Sequence, residues 1–170
     1  MRLLRQENDR FEFRLTRREQ EVFRHVLEAY PATPPEHHRL SRGTAHGARD
    51  PNQALLSESM AALKAEWRQR LEAFLAHGKR FIRDASGYRL VLDREEIEWL
   101  LRVLNDVRVG SWVRLGCPDA WGAVAGLKTL KAGPEAMRHA LLLEVAAHFQ
   151  YTLLAATDGT DGVGWGGRVE

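Results

Sequence analysis

Between Leu56 and Phe74 six large apolar side chains recur at helical steps: Leu56, Met60, Leu63, Trp67, Leu71 and Phe74, spaced by 4, 3, 4, 4 and 3 residues. Steps of three and four return to the same side of an α-helix, so the six form one stripe. A helix of this kind is marginal alone in water and draws its stability from burying the stripe. The rest of the chain must therefore supply apolar partners. Asp50-Pro51 offers an N-cap and an N1 proline for its start, and Gly78 offers its stop.

Three further helices are predicted. Thr16 stands three residues before Glu19, the spacing of a capping box, and Val22, Phe23, Val26, Leu27 and Tyr30 follow on one face. Pro31, Pro34 and Pro35 end that helix. Asp93 caps another, with Glu96 at the third position and Glu95 at the positive helix end. Ile97, Leu100, Leu101, Leu104 and Val107 form its apolar face, which extends to about Leu115. Gly133-Pro134-Glu135 opens the last, which continues to about Ala156; it is apolar on most sides and is expected to be central. Cys117-Pro118 breaks the chain, and residues 119–131 predict a shorter helix.

Two places change period. Asn8-Asp9 separates runs that alternate around Phe11 and Phe13, and Ser86-Gly87 separates two short β-prone runs; both predict hairpins. The expected fold is mainly α: a compact bundle of four to five helices with one or two short β-hairpins. Residues 1–156 make a single helical domain, 31–49 a mobile loop rich in Pro, Gly and His, and 157–170 a disordered Gly-rich tail. Trp67, Leu71, Phe74, Leu100, Leu104, Leu141 and Val145 are expected to share one core.

Composition excludes several function classes. With 44% hydrophobic residues the 170-residue chain can bury a core. Its 25 Lys plus Arg against 23 Asp plus Glu are spread evenly, without the basic block of a dedicated nucleic-acid binder. Cys117 is the only cysteine, so an internal disulfide and a cysteine-based zinc site are excluded. The N-terminal residues lack a signal-peptide pattern. The run from Ala140 to Ala156 is interrupted by Glu144, His148 and Gln150, whereas a bilayer span needs about 20 predominantly apolar residues. It reads as a core helix, and a cytoplasmic protein with no membrane partner is expected.

Local motifs add little chemistry. Glu135/His139 and Glu144/His148 each share a helix face, but the two histidines are nine residues apart and point differently, and His37, His38 and His46 lie in the Pro-rich loop. No metal site or cofactor is expected. Cys117 follows a helix C-terminus, which disfavours a reactive thiolate. Gly162, Gly164, Gly166 and Gly167 have no helix after them and cannot cradle phosphate. Residues 15–23, LTRREQEVF, resemble the first helix of the helix-turn-helix in LuxR-type response regulators, yet Pro31 to Pro35 stand where the recognition helix would begin.

The most informative stretch is Leu104-Asn105-Asp106-Val107-Arg108, which sets three polar side chains within one turn of an apolar helix. Asn and Asp are poor helix formers, so something compensates them. One reading is a structural network in which Asp106 pairs with Arg102 or another arginine. The other is a polar binding site formed by Asn105, Asp106 and Arg108.

Residues 92–116, LDREEIEWLLRVLNDVRVGSWVRLG, resemble the signature of the AosR-like bacterial family, a domain-of-unknown-function family that includes actinobacterial redox-responsive transcription regulators. The shared elements are the Leu-Asp-x-Glu-Glu opening, the Leu-Asn-Asp-x-Arg core and the Arg-Leu-Gly close. The Leu-Thr-x-x-Glu opening of the first helix and the long apolar last helix extend the likeness to residues 15–156. The resemblance implies a small helical regulator and marks Asn105, Asp106 and Arg108 as signature positions; it implies no catalytic residue. Redox sensing in that family uses two cysteines, and this chain has one. The expected function is a non-enzymatic regulatory or adaptor protein, acting on another protein in transcription control. DNA binding and homo-oligomerisation stay open. The alternative is a small-ligand-binding protein or enzyme with its polar site around Asn105, Asp106 and Arg108.

Overall fold

The computed structural model describes residues 1–34, 51–76, 80–85, 87–118 and 133–158. The expected segments 35–49 and 119–131, the Gly78 stop, and the tail beyond residue 158 lie outside the described residues. In chain order the elements are β1 (Arg2–Glu7), β2 (Arg10–Leu15), α1 (Arg17–Glu28), α2 (Pro51–Ala76), β3 (Phe81–Asp84), β4 (Gly87–Asp93), α3 (Arg94–Arg114) and α4 (Pro134–Thr157).

Local signals produce the hairpins and caps. Asn8 and Asp9 both adopt positive φ, 47° and 59°, the conformation a tight two-residue turn requires. Thr16 caps α1 and Asp93 caps α3, and in each case the glutamate three residues on closes a capping box. Pro134 sits in the first turn of α4 behind Gly133, which has no side chain to cap it.

The expected helical bundle is corrected to a mixed α/β fold. The two hairpins do not stand apart; β2 pairs antiparallel with β4, and the four strands form one sheet in the order β1-β2-β4-β3. Phe11 faces Leu92, and Phe13 faces Leu90, which in turn faces Phe81 across β3. Opposed residues share a face of the sheet. That face would be a large exposed apolar patch unless helices covered it, and its buried residues come mainly from the two inner strands, β2 and β4. Phe11, Phe13, Leu15, Leu90 and Leu92 are fully buried.

The helical layer meets the sheet through aromatic rings. Phe23 of α1 lies edge-on to Phe149 of α4 at 4.7 Å and to Phe81 at 6.4 Å, and Phe74 of α2 contacts Phe81 and Trp99. Offset and edge-to-face rings add about 0.5–1.5 kcal/mol per pair beyond area burial. α3 is the central helix, with Ile97, Leu100, Val103, Leu104 and Val107 fully buried.

Two expectations about the helices change. The stripe of α2 is buried only at its C-terminal end, by Leu71 and Phe74; Leu56, Met60 and Trp67 are half-buried and Leu63 is exposed. α4 is also central on one face only. Leu142, Ala146, Phe149 and Leu153 enter the core, whereas Leu141 is 58% exposed, with Tyr151 and Leu154 also open. Leu141 therefore leaves the expected core; Leu71, Phe74, Leu100 and Leu104 belong to it, and Trp67 and Val145 pack at its edge. By length and composition α4 would suffice to cross a membrane, yet its buried face here covers protein.

Removing core volume at α3 is expected to be costly. Leu104→Ala should lose about 2–5 kcal/mol in denaturant unfolding, whereas Leu141→Ala should stay within about 0.5 kcal/mol of wild type. Equal losses at the two positions would contradict this division of core and surface.

Candidate functional site

Asp106 is the most connected polar side chain of α3, but its partners are not the expected arginines. Its Oδ1 accepts the backbone N–H of Ala32 at 2.6 Å and of Thr33 at 3.1 Å. Its Oδ2 lies 3.3 Å from Nζ of Lys64 on α2. Lys64 also donates to the Thr33 carbonyl at 2.9 Å, and the Thr33 hydroxyl donates to the Asp106 carbonyl at 3.0 Å. The pairing with Arg102 is thus corrected to Lys64; Arg102 remains exposed. Arg108 and Asn105 contact each other at 3.4 Å on the exposed side of the turn. The structure does not bring Asn105, Asp106 and Arg108 together as one site.

Sequence reasoning missed the other half of this junction. Residues 31–34 leave α1 and cross directly over α3 at Gly110. A Cβ there would stand 2.3 Å from the Ala32 carbonyl carbon, so only glycine admits so close a backbone. Glycine inside a helix costs about 1 kcal/mol, and that cost was the available signal of a close approach. Tyr30, buried beside the junction, has its hydroxyl pKa pushed up to about 12, first by burial and then by the Asp106 charge. It stays a neutral phenol.

Beside the junction, α2 and α3 leave a groove of about 210 Å³ lined by Tyr30, Trp67, Lys64, Arg102, Asn105 and Asp106, among others. Pockets that hold drug-sized ligands run to about 300–1,000 Å³. This one is smaller, and Asp106 within it is already engaged.

A larger groove, about 630 Å³, lies between α1 and α4. Val22 and Val26 form one wall, and Met137, Leu141, Leu142 and Val145 the other. Arg18, His25 and Arg138 stand at its rim with Glu21. None of these was predicted as a site, because the apolar character of α4 read as centrality.

Among the described residues no three His, Cys, Asp or Glu side chains assemble as a metal site. His139 instead lies buried on α4 with Nδ1 unpartnered and Nε2 4.0 Å from Glu135. Burial pushes its pKa down, the charges of Arg114 and Arg138 push the same way, and Glu135 opposes them. Cys117 is exposed, at positive φ after α3.

Two outcomes follow from these partners. Asp106→Ala removes the carboxylate partner of Lys64 and leaves two backbone N–H groups without their acceptor, and unmet polar groups at a half-buried junction of this kind cost about 1–3 kcal/mol; a variant that unfolds like wild type would show the junction to be dispensable. For His139 the folded state binds the proton more weakly than the unfolded chain. Stability is therefore fully present above the unfolded value of about 6.5 and falls as pH drops through the lowered folded value. His139→Gln should flatten that acid-side loss in a pH series of thermal melts, and an unchanged slope would remove His139 as its cause.

Comparison with known proteins finds no matching family model, no matching curated protein and no matching solved structure.

Proposed function

We propose that this chain is a non-enzymatic bacterial regulatory or adaptor protein that works in the cytoplasm by binding another protein, in transcription control. The observation that carries the reading is the open groove between α1 and α4. Its floor is apolar, Leu141 is 58% exposed beside it, and the polar groups stand only on the rim. Sites for small molecules place a few polar groups deep among apolar ones to fix orientation. An apolar floor with a charged rim is the anatomy of a protein–protein contact. The likeness of residues 92–116 to the AosR-like family supports the regulatory setting.

A ligand-binding reading has one observation in its favour, since Arg102, Asn105 and Asp106 do line the smaller α2–α3 groove. Arg108 does not, and Asp106 there holds the chain together.

Affinity capture from the native bacterium, with wild type and with Leu141→Gln, tests the proposal. Wild type should retain a stoichiometric partner that the variant loses, with both proteins melting at the same temperature. Identical captures, or none, would reject the groove as the working surface.

A further inference from the structure

Resting on that docking reading, we infer that the α1–α4 groove takes an amphipathic helix of the partner whose apolar stripe is flanked by acidic residues. Three observations carry this, and the first is shape. The groove runs between two helices, with Val22 and Val26 on one side and Met137, Leu141 and Val145 on the other. Met137 and Val145 are eight steps apart along the helix, about 12 Å at 1.5 Å per residue. That length matches two turns of a third helix with anchors at i, i+3 or i+4, and i+7.

The second is charge. Arg18, His25 and Arg138 ring the groove against one carboxylate, Glu21, and Glu21 already takes the Arg17 guanidinium at 3.0 Å. Arg18 and Arg138 are exposed, so acidic side chains on both flanks of an inserted helix would meet a cation on each wall.

The third is the start of α4, which forms one end of the groove at Pro134 and Met137. Gly133 gives it no side-chain cap, so the first free N–H groups present positive partial charge there.

The test uses two synthetic stapled helices of about three turns. Both carry the same leucine stripe, one flanked by glutamates and the other by lysines, and binding is followed by fluorescence anisotropy to the full chain. The glutamate peptide should bind about tenfold tighter or more, with a preference that shrinks as salt rises. Leu141→Gln should abolish binding, and Arg18→Glu with Arg138→Glu should remove the preference. If both peptides bind equally and both are lost with Leu141→Gln, the acidic-partner inference falls while groove docking survives. If neither binds, or binding ignores Leu141, a helix in this groove is overturned, and the capture experiment alone judges the broader reading. A photo-crosslinker at position 141 that joins only its own chain, or a second copy, would also overturn it.

Discussion

The carboxylate of Asp106 ties three parts of the chain together at one point: the segment leaving α1, the middle of α2, and α3 itself. It accepts two consecutive backbone N–H groups from the segment leaving α1 and faces the ammonium of Lys64 on α2. An aspartate inside a helix ordinarily weakens it. Here that weakness is offset by charge-assisted hydrogen bonds, which are stronger than neutral ones. The segment at Ala32 and Thr33 would otherwise lie against α3 with its N–H groups unmet, a costly state for buried backbone. Gly110 makes the approach sterically allowed, and Asp106 makes it electrically favourable.

With that junction in place, the two sides of the molecule divide their tasks. Sheet, α1, α3 and the inner face of α4 form the apolar body around Phe23, Phe149 and Phe81. α2 attaches by individual long side chains: Lys64 to Asp106, Arg70 over Trp99 at 4.6 Å and to Glu95 at 3.0 Å, and Phe74 against Trp99. The outer side of α4 keeps Leu141, Tyr151 and Leu154 open to solvent.

What the sequence reveals depends on range. The caps at Thr16 and Asp93 and the turn at Asn8-Asp9 are legible because each is settled within three or four residues. The union of the hairpins is not, because pairing Phe13 with Leu90 joins distant segments and no local pattern specifies it. Periodicity locates the α2 stripe but not how much of it finds a partner. The hydropathy of α4 has the same ambiguity, since Leu141 and Leu142 are equally apolar and only one is buried. For Asp106 the sequence correctly marks an anomaly and misidentifies its resolution. Arginine far outnumbers the four lysines Lys64, Lys79, Lys128 and Lys131, so an arginine partner was the natural expectation, and only the placement of α2 selects Lys64.

The uneven burial of α2 has a consequence in time as well as in space. Below Lys64, none of the helix's described residues is fully buried: the Ser57 and Ser59 hydroxyls return to the carbonyls of Gln53 and Leu55, and Leu55 is 64% exposed. Opening those turns surrenders little buried area, so their amides exchange with solvent through local helix–coil fluctuation. Near Leu71 and Phe74 the same helix cannot open without exposing core, and its amides wait for far rarer events. One continuous helix thus spans two regimes of motion, and Lys64, held at the Asp106 junction, marks the boundary between them.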